Sequence, residues 1–190
     1  MILDPDVNFI VSGIERSGTS MLMQILSNGG IPVSADESRP PDTNNPKGYY
    51  ELEGGKIINK LREGSFPFDR YTGCFIKITA YGLKFLPKRN YKIIYSERNI
   101  DEILESMEKM ANITDEDREE TRNAFLNLNT MIKNHITRRD DIEVLFLNYN
   151  VILRNPAEEI KKIPAFLNVQ DVHFKAMIQT VDEKLYRKRH

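Results

Sequence analysis

Two stretches of this chain carry residue types that could hold an oxyanion, and a third carries carboxylates that could take a proton. The first is Gly13-Ile-Glu-Arg16-Ser17-Gly18-Thr19-Ser20, set between an apolar run and residues at helical spacing. Small residues, successive backbone N–H groups and one cation at a helix start form a ready anion site. The second is Arg98 with Ser106 eight residues later, where an arginine and a hydroxyl can grip one phosphate from two sides. The third is Glu51 with Glu53, a pair of carboxylates just after a long loop. A capped strand–helix junction, a surface arginine with a boundary serine, and first-turn acids facing a helix dipole are the plainer readings of the same residues.

The spacing Gly13-x4-Gly18 follows the first half of the nucleotide P-loop pattern, and then departs from it. Thr19 stands where that pattern has lysine, and the loop cation stands earlier, as Arg16. None of the inner apolar runs ends in the aspartate that would position Mg²⁺, since Tyr91–Glu97 runs into Glu97-Arg98 and Glu143–Tyr149 ends in Tyr-Asn. The residues therefore predict a phosphate cradle that works with protein cations and without a metal.

These groups need a scaffold. Runs at Phe9–Ser12, Cys74–Thr79, Tyr91–Glu97 and Glu143–Tyr149 are continuously apolar, the pattern of strands covered on both faces. Helical spacing is read at Ser17–Asn28, Leu52–Arg62, Ile100–Ala111, Thr114–Thr137, Pro156–Leu167 and Asp171–Val181. The alternation predicts an α/β fold, a three-layer parallel sheet with helices on both faces, forming one domain over residues 1–190. Ligands in such folds sit beyond the carboxyl ends of the strands, so Gly13–Ser20, Thr79–Tyr81, Arg98–Ser106 and Tyr149–Asn155 are the segments to watch. Residues 29–50 form a long, proline-bearing connection that reads as an active-site loop, with Arg39, Lys47, Tyr49 and Tyr50 lining a pocket.

Composition narrows the function classes. The chain has 190 residues, 40% hydrophobic and 29% charged, with a net charge of −1. That balance gives no field of the kind that gathers nucleic acid. One cysteine, Cys74, leaves no intrachain disulfide and no cysteine-based zinc site. No apolar run reaches the roughly 20 residues of a membrane span. Without a basic then apolar leader pattern at the start, a cytoplasmic location is the expectation.

Arg16-Ser17-Gly18-Thr19-Ser20 resembles the phosphosulfate-binding motif of the sulfotransferases that use 3'-phosphoadenosine 5'-phosphosulfate. Arg98 and Ser106 resemble, in spacing, that family's grip on the 3'-phosphate. Val144–Leu167 resembles its later strand end and following helix. The resemblance implies in-line sulfuryl transfer from 3'-phosphoadenosine 5'-phosphosulfate to a hydroxyl or amine, with adenosine 3',5'-bisphosphate leaving. It implies that Arg16 holds the leaving oxygens, that Ser17, Gly18, Thr19 and Ser20 cradle the 5'-phosphate, and that Tyr149 contacts the nucleotide. The acceptor would be a small molecule or a glycan. Three departures stand out. Glu15 replaces a proline. The region after the second strand, Ile76–Tyr81, lacks the histidine base of many members, so Glu51, then Glu53, is the candidate base, with Lys77 adding charge. The chain is also short, leaving the tail Leu185–His190 as a possible stand-in for a basic cofactor loop. His135, His173 and His190 read as surface or structural histidines. A P-loop kinase using ATP, and a non-catalytic nucleotide-binding module, remain as alternatives.

Overall fold

The computed structural model describes residues 2–42 and 45–181. Four strands, β1 (Asn8–Gly13), β2 (Phe75–Lys77), β3 (Tyr91–Glu97) and β4 (Ile142–Asn148), form one sheet in the order β2-β1-β3-β4. Every pairing is parallel. Adjacent residues of each inner strand point to opposite faces. Ile10, Ile93 and Tyr95 pack on one side with α2 (Ile58–Arg62), α3 (Ile100–Ala111) and α4 (Arg118–Thr137). Phe9, Val11 and Ile94 pack on the other with α1 (Thr19–Asn28), α5 (Tyr149–Arg154), α6 (Pro156–Ile160), α7 (Lys162–Leu167) and α8 (Phe174–Gln179). Burying each such side chain contributes about 1.5–3 kcal/mol, which is why the inner runs are apolar without alternation.

The elements differ from the sequence reading where local chemistry intervenes. The helix expected over Leu52–Arg62 is a 3-10 turn at Glu53–Gly55 followed by α2, because Gly54 and Gly55 adopt φ of 62° and 84°. Glu51 therefore precedes a turn and does not sit at a helix start. The helix expected from Thr114 begins at Arg118, since the Asp115 carboxylate accepts the Asp117 N–H at 3.0 Å and turns the chain first. Pro156–Leu167 divides into α6 and α7, because Pro164 has no N–H for the Ile160 carbonyl. Residues 149–154, expected as a post-strand segment, form α5; the Asn148 side chain caps it by accepting from the N–H groups of Asn150 and Val151.

The long connection 29–50 is tied to the sheet edge at its start. Ser34 N–H donates to Phe75 O at 2.7 Å and Phe75 N–H to Pro32 O at 2.9 Å. Its far end brings Tyr49, 4% exposed, back over the strand tips.

Candidate functional site

β1 and β3 are neighbours, yet their following helices, α1 and α3, lie on opposite faces. This is the crevice where α/β sheets bind ligands. Gly13 of β1 is in register with Ser96 of β3, so the loop after β1 and Arg98 after β3 leave the sheet side by side. An open cleft of about 340 Å³ lies there.

The loop of residues 13–20 has a special backbone. Arg16 has φ 67°, and Gly18, the N-cap of α1, has φ 101°. A Cβ on Gly18 would stand 2.3 Å from the Tyr149 ring, so only glycine fits both the torsion and the space. The start of α1, whose residues Thr19, Ser20 and Met21 line the cleft, has no side-chain cap and no acidic residue in its first turn. Arg16, Gly18, Thr19 and Ser20 line the cleft. Ser17 does not. It is 1% exposed, its N–H donates to Ile14 O at 3.0 Å, and its carbonyl accepts from Ser96 Oγ at 2.7 Å. Its hydroxyl is buried without a hydrogen-bond partner among the described residues. Ser17 thus fastens the loop to β3, where the sequence pattern alone placed it among the cradle contacts.

Arg98 joins this loop directly. Its Nη1 donates to Arg16 O at 2.9 Å, its Nε pairs with Glu102 at 3.0 Å, and its guanidinium lies 4.5 Å from the centroid of Tyr149. Asn99 caps α3 by accepting from the N–H groups of Asp101 and Glu102, which fixes where the helix departs. Ser106, two turns along, accepts from Arg16 Nε at 3.1 Å. The arginines at residues 16 and 98 therefore share one wall, and Tyr149 is the shelf between them. Burial pushes the Tyr149 phenol pKa up, against the pull of Arg98.

The opposite wall is built by the long loop. Glu51 Oε1 pairs with Lys77 Nζ at 3.0 Å, and both its oxygens accept from Arg39 Nη1, at 3.1 and 3.0 Å. Lys77 also donates to Ser20 Oγ at 3.2 Å and to the Tyr49 carbonyl. Burial holds the Lys77 ammonium below the ordinary lysine pKa, and the Glu51 carboxylate opposes that shift. Arg39 stacks on Tyr49, 3.6 Å from its centroid, and the Tyr49 hydroxyl donates to Asp42. Burial, then the Asp42 carboxylate, raises the Tyr49 pKa.

Other expected residues fall elsewhere. Glu53 pairs with Lys60 and is absent from the cleft lining. Lys47 and Tyr49 line the cleft with Arg39, whereas Tyr50 packs against the core below. Neither His135 nor His173 lines it; His190 and the tail Leu185–His190 lie outside the described residues. Sequence reasoning overlooked Glu102, Glu105 and Lys109, which also line the cleft. Glu102 was legible as the residue one helical turn after Arg98, at the i,i+4 spacing that pairs opposite charges. Among the described residues, no helix is long and apolar enough to cross a membrane.

The sulfotransferase domain family matches residues 6–186. In fold, the chain is similar to sulfotransferase STF1 from Mycobacterium tuberculosis H37Rv, with TM-score 0.58, 11% identity, and coverage of 97% of this chain and 77% of that one. It is similar to sulfotransferase STF9 from Mycobacterium avium, with TM-score 0.56, 10% identity, and coverage of 98% and 69%. It is also similar to mouse sulfotransferase SULT7A1, solved in complex with PAP, with TM-score 0.55, 14% identity, and coverage of 100% and 68%. At these identities the likeness is one of fold. No curated protein matches the chain in sequence. A parallel sheet with a glycine-bounded loop at its switch point and a family match over nearly the whole chain give one assignment: the protein belongs to the sulfotransferase domain family, whose common reaction is transfer of a sulfuryl group.

Proposed function

We propose that the protein transfers a sulfuryl group from 3'-phosphoadenosine 5'-phosphosulfate to a hydroxyl or amine of a small-molecule or glycan acceptor. The observation that carries this reading is the bond from Arg98 Nη1 to Arg16 O, which brings two cations from adjoining strand tips onto one cleft wall. A nucleotide phosphorylated at both its 3' and 5' positions offers one anionic group to each of these cations. Mouse SULT7A1, similar in fold, was solved with PAP.

The residues present fit such a donor. An uncapped helix start, a loop that tolerates no Cβ at Gly18, and hydroxyls on Thr19 and Ser20 suit the 5' end. Arg98 and Ser106 suit the 3' phosphate, and Tyr149 supports the nucleotide between them. Bound there, the donor supplies the sulfuryl group, and adenosine 3',5'-bisphosphate is the product. The chain's own task is positioning and neutralising charge on peripheral oxygens. Arg16 supplies a cation beside the loop. Lys77, on β2 and bonded to Ser20, supplies a second from the opposite wall. Glu51 holds a carboxylate in the same cleft, where it accepts the acceptor's proton.

The test is a thermal-shift and transfer assay on the full chain. The reading expects adenosine 3',5'-bisphosphate to raise the melting temperature and Mg-ATP to leave it unchanged. It also expects radiolabelled sulfate to pass from donor to at least one acceptor in a broad panel. Stabilisation by Mg-ATP alone would point to a kinase. Bisphosphate binding with no transfer to any acceptor would point to a non-catalytic module.

A further inference from the structure

Arg39 stands on the acceptor wall with an unusual degree of fixation for a loop arginine. Its guanidinium lies 3.6 Å from the Tyr49 centroid. Tyr49 is itself only 4% exposed and anchored through its hydroxyl to Asp42 at 2.8 and 2.9 Å. The Nη1 of Arg39 is committed to Glu51. Its side chain also hydrogen-bonds Tyr49; a guanidinium has five N–H donors, more than these two partners use, and the side chain lines the cleft and is 39% exposed. Stacking, the hydrogen bond to Tyr49 and one ion pair therefore hold the fork in place, and its surplus donors are the ones it has to offer in the cleft. The charges point the same way. Glu51 brings one negative charge to two cations, Arg39 and Lys77, so the cluster keeps one positive charge in excess. Asp42 adds a negative charge at the hydroxyl end of the Tyr49 ring, and Arg16 adds a positive one that acts on both Tyr49 and Lys77.

We infer that Arg39 is the residue that selects the acceptor, and that the acceptor carries a carboxylate close to the hydroxyl or amine that is sulfated. A guanidinium edge matches a carboxylate in planarity and spacing, and a fixed fork loses little freedom on binding it. Seated on Arg39, such an acceptor has its nucleophile beside Glu51, because the same guanidinium bonds that carboxylate. The inference rests on the transfer reaction proposed above and names the substrate class for it.

The experiment uses matched pairs of hydroxy-acids and their primary amides: hydroxybenzoates with hydroxybenzamides, and glucuronate with glucuronamide. The full chain is first shown to bind adenosine 3',5'-bisphosphate; failure at that step overturns the donor reading and is distinguishable from failure of this one. Acceptor binding is then measured by calorimetry on the bisphosphate-loaded protein, and transfer by radiolabelled sulfate. A hydrogen-bonded charge pair predicts a preference for acid over amide of about 10- to 100-fold. Arg39→Gln should bring that ratio to about one, whatever the absolute rate, and Arg39→Lys should leave it intermediate. Acids bound no better than amides, or a ratio that survives Arg39→Gln, overturns the assignment.

Discussion

The two walls of the cleft are held by different forces. The wall carrying Arg16, Arg98, Ser106 and Tyr149 hangs from the sheet. Gly13 and Ser96 are in register, Ser96 Oγ fastens the loop at Ser17 O, and Asn99 and Asn148 cap the helices that follow β3 and β4. The facing wall, with Arg39, Tyr49 and Glu51, hangs from a loop. Backbone bonds tie its base to β2 and Asp36 to Glu51, and side chains hold its cleft face: the stack of Arg39 on Tyr49, the Arg39–Glu51 pair, and Lys77 reaching from β2. A wall fixed by backbone ladders keeps its shape when most side chains change, but fails where a glycine is replaced. A wall fixed by side chains can be retuned residue by residue. The first arrangement suits a constant donor and the second a variable acceptor.

The largest expected effect lies on the loop wall. Glu51→Gln should lower turnover by about 10²- to 10⁴-fold, the range of a lost general base, while adenosine 3',5'-bisphosphate affinity stays the same. Lys77 keeps Ser20 Oγ and the Tyr49 carbonyl as partners, so the variant should fold. Steady-state kinetics beside calorimetry separates the two quantities. Unchanged turnover would move the base to another residue.

Next comes the weak point of the ladder wall. Gly18→Ala forces a Cβ into the Tyr149 ring at 2.3 Å on a backbone with φ 101°. The expected loss is about 2–4 kcal/mol of unfolding free energy, read from urea titration. The ring supplies part of that loss. Tyr149→Ala should therefore make Gly18→Ala less harmful, and strictly additive losses would show that the clash is not the cause.

Arg98→Ala tests the pairing of strand tips. It should weaken adenosine 3',5'-bisphosphate by about 10- to 100-fold and adenosine 5'-phosphate clearly less, because only the first carries a 3' group. Some loss is common to both ligands, since Arg98 also holds Arg16 O. An equal loss would remove Arg98 from the 3' site and leave it a loop brace.

The contrast between walls also explains what the sequence made legible. The parallel sheet, the anion loop and the Arg98–Ser106 spacing follow from local patterns: apolar runs, glycine positions, and a helix that starts right after a strand. That Glu51 lies at the cleft was legible because it is an acid beside a long loop. Its pairing with Arg39 and Lys77 was not, since those contacts span 12 and 26 positions and depend on how the loop folds back. Ser17 shows the limit inside a recognised motif. The motif grouped it with the cradle residues, whereas its N–H turns back to Ile14 O and its side chain is buried beneath the loop. The division of Pro156–Leu167 was foreshadowed by Pro164, and α5 by Asn148, an ordinary capping residue that the strand pattern masked.

The smallest effect belongs at the other end of the sheet, where it checks that the cleft predictions are specific. Asp141, just before β4, accepts from Arg139 Nε at 2.9 Å and Nη2 at 2.6 Å, and from the Arg89 N–H at 2.9 Å. Chiefly the Arg139 guanidinium, with help from the Arg89 N–H, holds its carboxyl pKa down to about 2, against the opposition of burial. A carboxylate whose pKa is lower in the folded state stabilises the fold above its unfolded value, near 4, and loses that contribution as pH falls through about 2. The displacement corresponds to about 2.5 kcal/mol at most, and solvent reach reduces the realistic figure to about 1–2 kcal/mol. Asp141→Asn should therefore lower stability by about 1–2 kcal/mol at pH 7, and the gap to the parent should close progressively between about pH 4 and pH 2. Bisphosphate affinity should not move. A gap that persists at pH 2 would assign the loss to the backbone bond at Arg89, and a change in affinity would couple the far edge of the sheet to the cleft.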